Sequence, residues 1–374
     1  MNTTTPLWKA LAALVERESF WLRRQASLLC KRRVAIFSAG ATAQSFYNTL
    51  LADWGIEAEF FIDNNPDLEN KLIHNKAVRR DPWVKIPDFC DEYAVIVATS
   101  GEYYKQIAAQ LDEIGLTAYM HYDAFVACSL YEQYKSITEL LEDDLSKASY
   151  LAAIYSLLTG DNRFIQFRGD PYFDVKGFIR NGAEIIVDAG AFVGDTVEEY
   201  FRRGITGLKI YAFEPSSNVI AALKARVSRL IVEWALKEDD IVIVSAGIGA
   251  KTEIVRLSLG VDSMLRKTAP GINSEYQVYS LDDYFADKKA FTLLKSDIEG
   301  MELELIKGAK GIIRNSKPKM ALSIYHSPHD FFQIPEYIKS LVPQYKMWVR
   351  NHDSDSQDTI LYCMVEGGLR DEIK

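Results

Sequence analysis

Short apolar runs alternate with stretches of helical periodicity along the second half of the chain. The runs are rich in β-branched residues and end in polar or glycine-containing turns, which is the pattern of buried parallel strands. We therefore predict strands over Glu184–Val187, Leu208–Phe213, Ile241–Val244, Phe291–Lys295 and Lys319–Ile324, and helices over Val197–Arg203, Ser216–Leu230 and Met301–Ile313. Lys251–Leu259 alternates like one strand of a hairpin, and Tyr345–Arg350 with Thr359–Val365 predicts a final antiparallel pair. This order predicts an α/β fold with a doubly wound sheet.

The first third of the chain repeats this alternation on a smaller scale. Strands are predicted over Arg33–Phe37, Glu57–Ile62 and Tyr93–Ala98, and a helix over Tyr103–Ile114. Before them, Pro6–Arg33 has the periodicity of an amphipathic helix with a basic end. We expect that helix to pack on its own protein or on a second subunit of a homo-oligomer, and an interfacial helix on a membrane is the alternative.

The 374 residues are enough for two or three domains, and 48% of them are hydrophobic, which is ample for their cores. The patterns predict an N-terminal helical segment over residues 1–30 and a small Rossmann-like domain over 31–128. Connecting helices follow over 129–165, and the larger doubly wound domain spans 166–374.

The turn after the strand Glu184–Val187 carries the first candidate binding residues. Its glycines let the backbone pass close to a ligand. Glu214 ends the next strand about 20 residues later, where an acid can accept both hydrogen bonds of a ribose diol. We expect it to face solvent, so that alanine there costs on the order of 2–4 kcal/mol of cofactor affinity and leaves the fold intact. The candidate cofactor-binding residues are Asp188, Gly190, Phe192, Gly194, Asp195, Thr196, Glu214 and Pro215.

The acids in this turn indicate which cofactor it suits. A dinucleotide site has three glycines in G-x-G-x-x-G and holds a pyrophosphate at the helix N-terminus. Here Asp188 and Asp195 flank the glycine pair, and they would repel a pyrophosphate but suit a cation. S-adenosylmethionine offers a sulfonium, an ammonium and a ribose diol without phosphate. The turn therefore favours S-adenosylmethionine, and a strand-turn-helix without a ligand is the alternative.

Further polar residues follow the other predicted strands. Ligands of an open α/β sheet bind outside the carboxyl ends of its strands. Ser245, Ala246 and Gly247 follow the third strand, and we expect them, together with Asp297 after the fourth, to complete the cofactor site. Glu299 lies beside Asp297, and His326 follows the fifth strand, so the topology brings these side chains to the same rim.

Four linked motifs resemble those of the FkbM family of S-adenosylmethionine-dependent methyltransferases. The resemblance covers roughly Leu140–Val365, and its motifs are VDAGAFVGDT (Val187–Thr196), IYAFEPS (Ile210–Ser216), LKSDIEGMELELIKGA (Leu294–Ala309) and SIYHSPHDFFQIPEYI (Ser323–Ile338). It implies a class I methyltransferase fold for residues 166–374, S-adenosylmethionine as the cofactor, and a saccharide or other secondary metabolite as the methyl acceptor. Similar Rossmann-like units precede some methyltransferase domains of this kind.

The resemblance also supports catalytic roles for Asp297, Glu299 and His326, which lie in its D-I-E-G and Y-H motifs. Methyl transfer requires the acceptor oxygen and the methyl carbon in line, and a hydroxyl acceptor must lose a proton. His326 has a suitable ordinary pKa for a general base, with Asp297 to orient it or the acceptor. Alternatively, the three side chains gather a divalent cation that lowers the pKa of the acceptor hydroxyl.

Two alternatives to a methyltransferase stay open. One is an NAD(P)-linked sugar-modifying enzyme that uses residues 31–128, where Asp63 takes the second-strand acid position but the turn keeps only Gly40. The other is a non-catalytic two-domain binding or scaffold protein with a relict cofactor site. The acids at positions 188, 214 and 297 count against a relict site, because a site that no longer binds a cofactor would not be expected to keep unpaired carboxylates.

Composition narrows the partners and the compartment. A formal charge of −9 argues against nucleic-acid binding, which normally uses a basic face. No apolar run approaches the ~20 residues that span a bilayer. Four scattered cysteines without metal-ligand spacing predict reduced thiols in a cytoplasmic protein.

Overall fold

The computed structural model describes residues 6–99, 101–169, 171–179, 182, 184–259, 265–266 and 274–365. The chain forms two compact units, one made of Met1–Glu132 and Ile154–Phe164 and the other of Gln133–Ala153 and Ile165–Lys374. The domain boundaries predicted from the sequence stay predictions. Among the residues that the structure describes, no helix combines the length and the apolar composition that crossing a bilayer requires.

The first unit is a small α/β sandwich around a six-stranded sheet. Its elements are α1 (Leu7–Leu29), β1 (Arg33–Phe37), α2 (Ala41–Trp54), β2 (Phe61–Ile62), a 3₁₀ turn (Pro66–Leu68), β3 (Leu72–Ile73), β4 (Lys76–Arg79), α3 (Pro82–Lys85), α4 (Phe89–Glu92), β5 (Tyr93–Val97), α5 (Gly101–Glu113), β6 (Tyr119–His121) and α6 (Tyr122–Ser129). The strand order is β3-β4-β2-β1-β5-β6, and every pair except β3 with β4 is parallel. The Rossmann-like pattern predicted for this part of the chain is confirmed.

Two details of the first unit bear on the sequence predictions. The amphipathic segment forms α1, which packs against α6 with Leu11 and Val15 buried. The strand predicted over Glu57–Ile62 is longer than β2, which is Phe61–Ile62, although the backbone N–H of Glu59 still donates to the carbonyl oxygen of Val34 in β1. The acids at its start form ion pairs, Glu57 with Lys76 and Glu59 with Arg33.

The second unit contains the larger sheet. The helices α7 (Tyr131–Leu140) and α8 (Asp144–Thr159) each have residues in both units. Along the chain, they are followed by β7 (Ile185–Ala189), α9 (Asp195–Arg202), β8 (Lys209–Phe213), α10 (Ser217–Glu233), β9 (Ile241–Val244), β10 (Gly247–Ile248), β11 (Glu253–Leu259), β12 (Leu265–Arg266), β13 (Ser274–Tyr279), α11 (Leu281–Tyr284), β14 (Leu293–Ser296), α12 (Glu302–Gly308), α13 (Lys310–Ser316), β15 (Lys319–Ser323), α14 (Asp330–Leu341), β16 (Lys346–Asn351) and β17 (Thr359–Met364).

The order of the larger sheet is β16-β17-β15-β14-β7-β8-β9. The five strands from β15 to β9 are parallel, whereas β17 runs antiparallel to both of its neighbours. The chain first winds from β7 toward β9 and then returns to the other side of β7 with β14. The strands at this reversal, β7 and β14, lie side by side, which is where doubly wound sheets bind ligands. The predicted doubly wound fold, final antiparallel pair and β11 hairpin are confirmed.

The helix predicted over Met301–Ile313 is two helices. Gly308 ends α12 where that helix packs against the chain after β10, and a Cβ atom at Gly308 would lie 2.0 Å from the carbonyl oxygen of Gly249. The carboxylate of Asp282 then accepts hydrogen bonds from the backbone N–H groups of Gly311 and Ile312, at 2.8 and 2.9 Å, and caps α13. The interruption therefore depends on contacts from residues distant in the sequence.

Candidate active site

A cavity of about 1600 Å³ lies at the carboxyl ends of β7, β8 and β14. We call it the rim cavity. Its described lining includes ten of the residues predicted from the sequence: Gly190, Phe192, Asp195, Thr196, Glu214, Pro215, Ala246, Gly247, Asp297 and Glu299. Residues from separate strand ends therefore meet at one edge of the sheet. The cavity also reaches the aromatic turn before β7, where Tyr172 and Phe173 contribute to its wall.

Four predicted site residues, Asp188, Gly194, Ser245 and His326, are not among the described lining residues. Asp188 lies within β7 and is fully buried, with its Oδ1 atom 2.9 Å from Nζ of Lys295. The contact is an ion pair rather than a well-aligned hydrogen bond. The expectation that Asp188 faces a ligand cation is wrong, because Lys295 already compensates its charge.

Lys295 is a functional candidate that the sequence analysis missed. Its Nζ atom also donates a hydrogen bond of 2.8 Å to the carbonyl oxygen of Gly190, so it connects β14 with the glycine turn. Burial acts to lower the pKa of Lys295, but Asp188 and Asp297 outweigh that effect and raise it. Burial also raises the pKa of Asp188, which by itself favours the neutral acid. The 2.9 Å contact favours the ionic pair, since each charge is the counter-ion of the other. A lysine inside an apolar strand was the available sequence signal.

The two glycines of the turn permit close packing of the protein itself. Gly190 has φ +76°, and a Cβ atom there would lie 1.9 Å from the carbonyl oxygen of Asp297. Gly194 has φ +81°, and its Cβ atom would lie 2.7 Å from a methyl group of Leu223 on α10. The glycines were expected to make room for a ligand, whereas in the structure they bring the turn against β14 and α10.

Glu214 lies at the end of β8, lines the rim cavity and is only 6% exposed. Its two oxygens accept hydrogen bonds from the backbone N–H of Phe192, at 3.1 Å, and from that of Ser216, at 2.7 Å. Burial raises the pKa of this carboxyl group, and the two backbone donors counteract the effect. The predicted solvent-facing position is therefore wrong. Each oxygen keeps one lone pair, so a diol in the cavity can still donate to it.

The same arrangement occurs in the first unit. Asp63 follows β2, and its carboxylate accepts hydrogen bonds of 2.9 Å from the backbone N–H groups of Ala39 and Asn65. In both units an acid after the second strand of the crossover thus holds the turn that follows the first strand. An acid at this position has a structural role in addition to any contact with a ligand.

His326 lies behind the rim among three carboxylates, and we call Asp297, Glu299, Glu302 and His326 the carboxylate–histidine cluster. The Nε2 atom lies 3.5 Å from Oδ1 of Asp297 and 3.6 Å from Oε2 of Glu299. The Nδ1 atom lies 3.5 Å from Oε2 of Glu302. Burial acts to lower the pKa of the imidazole, but the carboxylates, with Glu302 first, outweigh it and raise the pKa to about 9. In its protonated form the ring cannot accept the proton of an acceptor hydroxyl, and it can bind a cation only after its own proton leaves.

Glu302 was missed by the sequence analysis and organises the loop that carries Asp297 and Glu299. Its oxygens accept hydrogen bonds from the backbone N–H of Ile298, at 2.7 Å, and of Gly300, at 3.0 Å. Glu299 and Gly300 both have positive φ angles, +57° and +91°, so the chain turns sharply between β14 and α12. Glu302 is fully buried and fixes this turn from inside.

Other acids surround the cluster. Tyr325 donates a hydrogen bond of 3.1 Å to Oδ1 of Asp297. Burial and the nearby Glu302 raise the pKa of Asp330 to about 7, and burial and Asp297 raise that of Asp358. Asp358 lines the rim cavity as well. The carboxylates thus outnumber the cations around Asp297, and this part of the site suits a cationic group.

The sheet order and the position of the cavity define a Rossmann-like fold of the methyltransferase type. Residues 188–354 match the family model described as the methyltransferase FkbM domain. The chain therefore carries an FkbM methyltransferase domain, and the resemblance found in its sequence is confirmed.

A solved structure supports this fold. The crystal structure of methyltransferase FkbM from Methylobacillus flagellatus KT matches with a TM-score of 0.58 and 19% sequence identity, over 95% of this chain and 100% of that one. At this identity the match shows the fold alone. Aeropyrum pernix fibrillarin, solved with natively bound S-adenosyl-L-methionine, has a TM-score of 0.31 and 13% identity, over 49% of this chain and 67% of that one, and adds nothing to the assignment. No curated protein sequence matches the chain significantly.

Proposed function

We propose that this methyltransferase uses S-adenosylmethionine to methylate a hydroxyl group of a saccharide or another hydroxyl-bearing acceptor, in the cytoplasm. The observation that carries the proposal is the position of Glu214, which lines the rim cavity at the end of β8 with one lone pair left on each oxygen. A ribose diol is the part of the cofactor that such a carboxylate recognises.

The acidic wall of the cavity supports a cationic cofactor. Asp195 and Asp297 line it. The 2.9 Å ion pair of Lys295 is with a different acid, Asp188. When bound, S-adenosylmethionine supplies an electrophilic methyl group on a sulfonium. We assign Glu214 and the glycine turn to cofactor binding, and we place Ala246 and Gly247 beside the adenine base of the cofactor.

The acceptor side of the proposal uses the carboxylate–histidine cluster. As the methyl–sulfur bond breaks and the methyl–oxygen bond forms, the acceptor hydroxyl gives up its proton. Asp297 lines the cavity, and its side chain is 31% exposed, so it can reach both the acceptor and bulk water. His326 is only 9% exposed and lies behind it. We therefore assign orientation of Asp297 and Glu299 to His326, and proton acceptance to Asp297 or to solvent.

Calorimetry separates this proposal from the NAD(P) alternative. We expect heat of binding on titration with S-adenosylmethionine and none with NADH, and the reverse result would overturn the proposal. Incubation with a methyl-labelled donor and a cell extract, separated into glycans, lipids and small molecules, then tests for transfer. Binding without label in any fraction would favour a non-catalytic protein.

A further inference from the structure

Three side chains from separate elements converge at the inner edge of the rim cavity. Asp297 follows β14, Glu302 begins α12 and His326 follows β15. One potential ligand atom from each lies within 4.8 Å of those from the other two. The 3.5 Å separations join different ring nitrogens, Nε2 to Oδ1 of Asp297 and Nδ1 to Oε2 of Glu302. Two ligands bound at right angles to one small divalent ion lie about 3.0 Å apart. Because one ion binds one ring nitrogen, the three ligand atoms, which lie within 4.8 Å of one another, would have to approach by up to about 1.8 Å to reach that spacing.

The imidazole of His326 provides a second, independent observation. Its side chain is 9% exposed, and neither ring nitrogen has a hydrogen-bond partner among the residues that the structure describes. Buried polar atoms are normally paired, and 3.5 Å is longer than the 2.7–3.2 Å of ordinary N–H···O hydrogen bonds. A buried imidazole that faces carboxylates at this distance is placed where it could bind a cation together with them.

We propose that Asp297, Glu302 and His326 bind a divalent cation of the Mn²⁺ type. One imidazole nitrogen with two carboxylate oxygens suits an ion between the oxygen-preferring Mg²⁺ and the nitrogen-preferring later transition metals. Because Asp297 also lines the rim cavity, an ion held by it would be accessible from the space that we assign to the acceptor. A hydroxyl bound there would have its pKa lowered and would release its proton to solvent more readily. In this role the inference rests on the proposed function.

The ligand set differs from the one expected from the sequence, which had Glu299 in place of Glu302. Glu299 is 46% exposed, and its Oε2 atom lies 3.6 Å from Nε2 of His326. Glu302 is fully buried and is already fixed by the N–H groups of Ile298 and Gly300. Such supporting hydrogen bonds typically orient metal-binding carboxylates.

Titration of the full-length protein with Mn²⁺ alone, followed by electron paramagnetic resonance, tests the site without cofactor or acceptor. We expect one bound ion per chain. Asp297→Asn and His326→Gln should each weaken Mn²⁺ binding by about 10–100-fold or more. Asp358→Asn is the matched control, because it removes one carboxylate charge from the same cavity, and it should weaken binding by no more than about fivefold. A pulsed experiment on the wild-type protein should detect coupling to one imidazole ¹⁴N nucleus, and His326→Gln should abolish it.

The outcomes are distinct. Failure to bind Mn²⁺ up to millimolar concentration, bound Mn²⁺ without nitrogen coupling, or equal losses in Asp297→Asn and Asp358→Asn would each overturn the site. The nitrogen coupling is measured on wild-type protein, so a variant that fails to fold does not prevent the test. If the protein binds S-adenosylmethionine but does not bind Mn²⁺, only the metal site is overturned. If it binds Mn²⁺ but not S-adenosylmethionine, only the proposed function is overturned.

Discussion

Nζ of Lys295 lies 2.9 Å from Oδ1 of Asp188 inside the larger sheet, where both side chains are almost fully excluded from solvent. The pair joins β14 to β7 at the point where the strand order reverses. Lys295 also donates a hydrogen bond to the carbonyl oxygen of Gly190, so the residues of this ion pair hold the glycine turn against β14.

Removing the cation of this pair should destabilise the protein. Lys295→Met would leave the carboxylate of Asp188 buried without a counter-ion, and we expect a loss of about 3–5 kcal/mol in the free energy of unfolding. Denaturant unfolding measures this loss. Combining it with Asp188→Asn should recover most of the stability. Lys288→Met, which removes a surface pair with the exposed Asp287, should cost no more than about 1 kcal/mol. Equal effects of the two lysine variants would contradict the structural role of the buried pair.

An alanine substitution at Gly190, in the glycine turn, can be compared with one at Gly204, which follows α9. Gly204 has φ +71° with nothing within 4 Å of an added Cβ atom, so Gly204→Ala should cost only the backbone strain, about 1–2 kcal/mol. Gly190→Ala adds a collision with the carbonyl oxygen of Asp297 to a similar strain. We expect it to lower the thermal midpoint several times more than Gly204→Ala does. Similar midpoints would mean that the turn is free to move away from β14.

Glu214→Ala should affect stability and cofactor binding together. Substitution leaves the N–H groups of Phe192 and Ser216 without their acceptor, which costs about 1–3 kcal/mol for each group that stays buried. Under the proposed function, S-adenosylmethionine affinity should fall by a further 2–4 kcal/mol, on the order of two charge-assisted hydrogen bonds. Thermal unfolding without ligand and calorimetry with it separate the two effects. Glu253→Ala, an exposed acid lining the same cavity, is the control and should change neither.

His326→Ala should lower turnover by about 10–100-fold, because it removes the group that orients Asp297 and Glu299 on the acceptor side, and should leave S-adenosylmethionine affinity nearly unchanged. Calorimetry and a methyl-transfer assay measure the two quantities. The exposed His74, in the first unit, provides a histidine control whose alanine variant should keep full turnover. Full turnover in His326→Ala would show that the histidine only packs beneath the loop.

Acid should weaken the second unit through Arg350. The guanidinium contacts Asp143 at 2.8 Å and Asp174 at 3.0 Å. Burial acts to raise the pKa of both carboxyl groups, but arginines outweigh it and lower both: Arg350 at Asp143, and Arg168 together with Arg350 at Asp174. Since the folded pKa values are below the unfolded ones, this stabilisation is present above about pH 4, the ordinary aspartate pKa, and is lost as the pH falls through the lowered values.

Unfolding of Arg350→Met as a function of pH tests this assignment. At pH 7 we expect the variant to be less stable than the wild type by about 1.5–3 kcal/mol, because Asp143 is partly exposed and Asp174 keeps Arg168 as a partner. The difference should shrink below about pH 4 as the carboxylates protonate. Arg256→Met removes an exposed pair with Glu275 and should cost no more than about 1 kcal/mol. A deficit of Arg350→Met that stays constant down to pH 2 would show that lost packing, rather than charge, causes it.

The sequence was sufficient for β1 and β5 of the first unit and for the five parallel strands of the larger sheet, because these are mainly apolar runs that end in turn residues. The short strands β3, β4 and β6 were not predicted. Convergence of Glu214 and Asp297 on one rim follows from the order of the five parallel strands alone. Helix interruption at Gly308 could not be predicted, since it depends on Gly249 and on the cap from Asp282.

Charge compensation explains most of what the sequence analysis missed in the site. Asp188 looked like a free acid in the glycine turn, yet its counter-ion, Lys295, is more than a hundred positions away. Glu302 looked like an ordinary residue of the first helical turn, although it accepts two backbone hydrogen bonds and faces His326. Local patterns give the type of a side chain and its place on a strand or helix, whereas its partners depend on the tertiary fold.

The shared role of Asp63 and Glu214 has an evolutionary consequence. Each carboxylate is retained by the hydrogen bonds that it makes inside its own crossover, so selection for folding alone would preserve it. A binding site built on such an acid can be lost without erasing its most recognisable residue, and it can be regained by changes in the neighbouring turn. The acid therefore marks a position where recognition of a diol can evolve repeatedly on an unchanged scaffold.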